Sequence, residues 1–264
     1  MFFPYSRLLL KVPLLLQSTI SRQKTAFITY FNGVYPYTNM KKIKKPLSDI
    51  ILGLEAEKLV GATDRRTKGT SLLAPKAVYA KDLASAIKFQ KSLKKPVVVK
   101  IISQGAIHKS DIGGVAVARD EKDIASQFDQ IQNTIKKKKL KDAKIMIQEF
   151  VSGHETILGI KKDPTFGHVI MFGIGGKYVE IIKDVSFMAC PLSEKDAEDM
   201  MEQLKFKPLL EGVRGNPAAN KKAIAKVLVH VSHLAIKKNV QELDINPLIV
   251  DSKDAYAVDV RVVI

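Results

Sequence analysis

Apolar and polar positions change period several times along this chain, and each change marks an element. The pattern becomes regular from about Pro46. Residues 48–60 have a helix-like pattern, residues 61–71 interrupt it with polar side chains, and residues 82–93 predict a helix in which Leu83 and Ile87, and Phe89 and Leu93, stand four apart. The β-branched run Val97-Val98-Val99-Lys100-Ile101-Ile102 predicts a buried strand, and residues 114–118 predict another after a polar loop. Ile124, Phe128, Ile131 and Ile135 recur at helical spacing, which predicts a helix over 124–138, followed by a strand over 145–150. Short strands are expected over 156–161, 168–172 and 178–182, separated by Asp-Pro and glycine punctuation. Ser193 with Asp196 three residues on resembles a capping box, and Ile224, Val227, Leu228, Val231 and Leu234 share one face of a later helix. A hairpin over 242–250 and 255–264 closes the chain. This order predicts a mixed α+β fold, and its lack of repeated βαβ units argues against a Rossmann fold.

Composition narrows the partners. The 264 residues leave room for one large domain or two small ones. The single cysteine, Cys190, forms no internal disulfide, and no Cys/His cluster with zinc-ligand spacing occurs, so a reducing cytoplasm is the expected compartment. A formal charge of +16 attracts polyanions in principle. The lysine run 136–139, however, ends an amphipathic helix, where cations complement the helix dipole, and no aromatic residues interleave with it for base stacking. The charge therefore predicts a solvated lysine-rich surface, and nucleic acid is not the expected partner. Residues 1–48 contain no Asp or Glu, and their leucine runs are broken by Lys11 and Pro13, too short to span a bilayer core of roughly 30 Å. Residues 1–47 are expected to be a basic N-terminal extension, disordered or lying ahead of the true start.

Three places gather candidate chemistry. Lys100 sits in an apolar strand, where an ammonium is costly unless an anion faces it, although a strand-end lysine also reads as one that reaches back to water. His108, Lys109, Ser110 and Asp111 follow, immediately before Gly113 and Gly114, whose backbone N–H groups can approach a phosphate. Gly173, Gly175 and Gly176 lack the helix of a dinucleotide fingerprint and read as a tight connection able to fold over a ligand. Glu149, Glu155 and Glu180 recur in apolar strands, as ribose or metal contacts or as surface positions. In the hairpin, Asp244 and Asn246 share a strand face, and a turn centred on Ser252 and Lys253 sets Asn246 opposite Asp259, with Cβ atoms about 5 Å apart. An amide and a carboxylate at that spacing suit magnesium, which takes one or two protein ligands besides phosphate and water. Alternatively, Asp244 and Asp259 are outward-facing charges, a reading weakened by the apolar neighbours of Asp259.

Taken together, these strings resemble the ATP-grasp subunit of ADP-forming acyl-CoA synthetases, the acetate–CoA ligase beta subunit, related to succinyl-CoA synthetase beta. The match runs in order from about residue 75 to the end and also includes Ile147-Gln148-Glu149, Asp163-Pro164, Lys183-Asp184-Val185-Ser186-Phe187 and the stretch 212–215. The resemblance implies an α+β, two-lobed ATP-grasp fold holding ATP between antiparallel sheets, with a small lobe over 48–147 and a large lobe over 148–264. It implies nucleotide contacts from Lys100, Lys109, Gly113, Gly114, Gln148, Glu149, Val151, Glu155, Gly175 and Gly176, with Gln148 and Glu149 at an adenine-side hinge. Magnesium ligands would be Asn246 and Asp259, with Asp244 and Glu180 nearby. His108 would carry a phosphoryl group on its way to ADP, the alternative being a hydrogen bond to phosphate. The implied partner is a CoA-binding alpha subunit. Met188 stands where the family has an arginine, and residues 61–73 depart from the usual end of the first helix. A stand-alone ATP-grasp carboxylate–amine ligase and a basic polyanion-binding protein remain as alternatives.

Overall fold

A computed structural model describes residues 50–64, 72–106, 109–176, 184–212, 215 and 217–264. In chain order the strands and helices are β1 (Ile50–Leu52), α1 (Gly53–Leu59), β2 (Ala77–Ala80), α2 (Leu83–Leu93), β3 (Val97–Ile102), β4 (Val115–Ala118), α3 (Glu121–Lys138) and β5 (Lys144–Glu149). They continue as β6 (His154–Asp163), β7 (Gly167–Ile174), β8 (Val185–Ala189), α4 (Glu194–Glu202), α5 (Lys221–Lys237), β9 (Glu242–Val250), β10 (Ala255–Ala257) and β11 (Val260–Val263). Two antiparallel sheets result among the described residues. The smaller has the order β2-β5-β3-β4, and the larger runs β1-β11-β9-β6-β7-β8 with β10 also on β9.

Alternation decides which way each strand of the smaller sheet faces. Val97, Val99 and Ile101 of β3 are fully buried with Ile147 of β5 against Ile124, Phe128 and Ile131 of α3 and Ala86 of α2. The intervening residues, Val98 and Lys100, therefore point from the opposite face, which looks toward the larger sheet. Asp82 and Ser85 cap α2 reciprocally, and Asp120 caps α3, whose last turn holds Lys136, Lys137 and Lys138 as the dipole favours. On the larger sheet, Leu158, Ile160, Ile170, Phe172, Leu243 and Ile245 meet Met200, Val227, Leu228 and Val231 of α4 and α5, leaving the opposite face for chemistry.

Two expectations are corrected, and one strand went unforeseen. Residues 48–60 are not one helix: Ile50–Leu52 pairs with β11, and α1 starts only at Gly53, whose φ of +62° turns the chain. For that reason the small lobe does not begin at 48. Ala56, Val60, Ala62, Leu72 and Ala74 belong to the core under the larger sheet, so this sheet takes chain from both sides of the smaller one. The strand β2 falls in a stretch without an expected element, and it pairs with β5 at the sheet edge. The expected strand over 178–182 lies outside the described residues, while the strand observed nearby, β8, comes later. The divergent stretch 61–73 re-enters the core at its described ends, with Leu72 fully buried and Leu73 bonded through N–H and C=O to Ala255 and Ala257.

Candidate functional site

The two sheets meet through a compact set of charged and polar side chains. Lys100, on the inner face of β3, is 3% exposed and donates to the Gln148 side-chain oxygen at 2.8 Å and to the Val258 carbonyl at 2.6 Å. Gln148 belongs to β5 of the smaller sheet and Val258 to the connection between β10 and β11 of the larger, so one ammonium ties both together. Burial pulls the Lys100 pKa down to about 8; the nearby Asp259 opposes that shift, Lys109 adds to it, and Glu57 opposes it.

Glu57 completes the chain of contacts. This carboxylate, 4% exposed on α1, accepts from the Gln148 amide at 3.2 Å, which aims the Gln148 oxygen at Lys100. Burial pushes its pKa up to about 7 against the pull of Lys100. Sequence reasoning missed Glu57, because on a helix of mixed polarity it looks like any solvent-facing acid.

Lys109 provides the second tie between the sheets. It precedes a single 3-10 turn, Ser110–Ile112, and the Gly114 N–H returns to its carbonyl at 2.7 Å. Its ammonium, on a side chain 9% exposed, donates to both Asp259 oxygens at 2.6 and 2.5 Å. Ser110 and Asp111 are exposed.

The hairpin adopts the expected register. Val260 faces Ile245 and Arg261 faces Asp244, and the Asn246 N–H donates to the Asp259 carbonyl at 3.0 Å. Asn246 and Asp259 thus stand directly opposite. Asp244, on the same face of β9, forms an ion pair at 3.5 Å with Arg261, a residue absent from the expected site. Among the described residues no group of three or more His, Cys, Asp or Glu side chains gathers as a metal cage. A hard oxygen pair, one carboxylate and one amide, nevertheless fits magnesium, which keeps most of its sites for phosphate and water.

The remaining residues fall into two groups. Glu155 is exposed on β6, and the glycine connection folds onto it: the Gly175 N–H donates to the Glu155 carbonyl at 2.8 Å. A Cβ at Gly175 would lie 2.9 Å from the Glu155 carbonyl carbon, and one at Gly176 3.3 Å from its carboxylate. Glu149 does not join the cluster. It pairs across the sheet with Val97, shares the helix-covered face, and receives the Lys95 ammonium at 2.5 Å. Val151 lies half-buried just beyond β5, and His108 and Glu180 lie outside the described residues. An apolar patch also went unforeseen. Val98, opposite Val117 and Gln148, and Val115, opposite Lys100, line the inner face, with Val115 and Val117 37% and 38% exposed. The alternation Val115, Val117 was the signal that could have found it.

The sequence profile of the ATP-grasp domain matches residues 67–264. The acetate–CoA ligase [ADP-forming] I subunit beta of Pyrococcus furiosus is 37% identical over 196 residues, covering 72% of this chain and 84% of that protein. A longer relative, the acetate–CoA ligase [ADP-forming] I of Archaeoglobus fulgidus, is 38% identical over 70% of this chain, which spans only 27% of its length. Two solved structures of the Ca. Korarchaeum cryptofilum dinucleotide-forming acetyl-coenzyme A synthetase 1 share the fold. The complex with coenzyme A, Ca-AMPCP and HgCl+ superposes with a TM-score of 0.73 at 31% identity, covering 89% of this chain and 99% of that one. The complex with coenzyme A and Mg-AMPPCP, whose phosphohistidine segment points towards the nucleotide binding site, gives 0.66 at 33%, covering 82% and 93%.

Proposed function

The chain belongs to the ATP-grasp family, among the beta subunits of ADP-forming acetate–CoA ligases, and from that premise we propose that it is the nucleotide-binding half of an ADP-forming acyl-CoA synthetase. The overall conversion is acyl-CoA, phosphate and ADP to free acid, CoA and ATP. The step assigned to this chain is phosphoryl transfer from a phosphohistidine to ADP: the N–P bond breaks as a terminal ADP oxygen bonds to phosphorus. The partner in this reading is a CoA-binding alpha subunit, which the beta-subunit name of the Pyrococcus furiosus relative supports.

The observation that supports this reading is the convergence of Lys100, Lys109 and Asp259 where the two sheets meet. Lys100 and Lys109 provide positive charge for the β-phosphate and the transferred group. Transfer between two anionic partners is accelerated chiefly by fixed charge and alignment, which two ammonium groups, one on strand β3 and one on the following loop, provide. The Val98, Val115 and Val117 patch gives a base an apolar floor beside those cations. Gly113 and Gly114 close the turn that presents Lys109, their N–H groups bonded to the Ser110 and Lys109 carbonyls, Gln148 and Val151 border the base side, and Glu155 under Gly175 and Gly176 borders the ribose side. Asn246 and Asp259 would hold magnesium, which neutralises phosphate charge when bound, with Asp244 on the same face of β9. Glu149 stands apart from this set, its carboxylate engaged by Lys95 and its N–H by the Lys76 carbonyl. His108 carries the phosphoryl group.

Incubation with γ-labelled ATP and magnesium tests the reading. Acid-labile label is expected on the wild-type chain and absent from His108→Asn; a variant that keeps all of the label retires the carrier role. Failure of magnesium–ADP to stabilise the chain against heat would retire the nucleotide site itself.

A further inference from the structure

The geometry points to Lys109 as a resident cation of the proposed metal site, one that holds the Asp259 carboxylate and yields it only when a metal arrives together with a polyphosphate. This inference rests on the assignment of Asp259 as a magnesium ligand. Both Asp259 oxygens receive the Lys109 ammonium, at 2.6 and 2.5 Å, and the lysine side chain is 9% exposed. A divalent ion needs one of those same oxygens at about 2.1 Å. Two cations on one carboxylate repel strongly where water is scarce, so the ammonium and the ion compete. The neighbouring carboxylate offers no way around, because Asp244 is engaged by Arg261.

Release costs little in backbone terms. The turn after Lys109 is closed by the Gly114 N–H on the Lys109 carbonyl at 2.7 Å, so the main chain stays while the four-carbon stem swings. What compensates the ammonium for losing Asp259 is a new anion, and a nucleotide phosphate provides it at the moment the metal takes the carboxylate. A bare metal ion brings no such anion. The pairing therefore makes metal and nucleotide binding mutually dependent, and it discourages free divalent ions from occupying the site. Lys109 directly follows His108, so the exchange takes place one residue from the proposed phosphoryl carrier.

Manganese binding, read from the free-ion electron paramagnetic resonance signal of the full chain, tests the inference. Lys109→Met is expected to bind manganese alone at least tenfold more tightly than wild type while binding manganese–ADP several-fold more weakly. Those opposite changes are ones a folding defect does not produce. Lys109→Arg, which keeps the cation, is expected to bind manganese alone as wild type does. Equal or weaker binding of manganese alone by Lys109→Met overturns the proposal. Asp259→Asn separates the two levels: unchanged manganese–ADP binding there defeats the metal assignment itself. Lost manganese–ADP binding there, with Lys109→Met unchanged toward manganese alone, defeats only the resident-cation role.

Discussion

Lys100 is buried because its charge is answered on two sides, by a side-chain amide from its own sheet and a carbonyl from the other. Replacing it with methionine removes a costly buried charge but leaves those two oxygens without a donor, so the stability effects partly cancel. Lys100→Met is therefore expected to weaken magnesium–ADP binding at least about tenfold, roughly 1.4 kcal/mol, in calorimetric titration, with a much smaller change in melting temperature. An equal loss in both would mark Lys100 as structural only. Glu57 makes a pH prediction. Its pKa in the folded chain is raised from 4.5 to about 7, so the folded state holds a proton that the unfolded state has already released. The stability this contributes is complete below pH 4.5 and is lost as pH rises through 7. Glu57→Gln, neutral throughout, is expected to gain on wild type by on the order of 2 kcal/mol in denaturant stability between pH 4.5 and 8. A gain in the opposite direction contradicts the burial argument.

At the scale of elements, two glycines set how the site closes. Gly53 joins β1 to α1 with a φ of +62°, and a Cβ there would strike the Tyr79 hydroxyl, which itself receives the Leu54 N–H at 3.2 Å and donates to Glu55 at 2.7 Å. Gly53→Ala is expected to cost about 2 kcal/mol in denaturant midpoint measurements, combining the left-handed backbone penalty with the clash. Gly175 differs in kind. Its Cβ would press on Glu155 backbone atoms at 2.9 and 3.0 Å, at the ends of β6 and β7 rather than in the core. Gly175→Ala is thus expected to weaken magnesium–ADP binding more than it lowers the melting temperature, and the reverse order would place the glycine connection outside the site. The elements were legible where a local signal was strong. The run 97–102, the Ser193 cap, and the five apolar positions of α5 all lie where their patterns place them. β2 was not legible, because the four residues Ala-Val-Tyr-Ala have no period of their own and become a strand only by pairing with β5. β1 failed for the same reason, being three residues held by β11.

For the whole molecule, the linkage between ligand and fold gives the simplest test. Magnesium–ADP at a hundred times its dissociation constant is expected to stabilise the chain by about 2.7 kcal/mol, raising the melting temperature by several degrees. Double-stranded DNA is expected neither to reproduce nor to compete with that shift, despite the charge of +16; competition that weakens steeply with salt would revive the polyanion reading. No helix among the described residues is long and apolar enough to cross a membrane.

Local pattern and spacing were enough to determine the class of fold, the lysine-bearing strand and the hairpin register that sets Asn246 against Asp259, because those depend on periods of two and 3.6 residues and on the length of one turn. Only the tertiary structure decided that Lys109 meets Asp259 across 150 positions, that Glu57 reaches Gln148 across 91, and that Glu149 turns away toward Lys95. The physical reason is that charge pairing between two sheets depends on how they pack. Packing is settled by the whole buried surface, which no window of neighbouring residues contains.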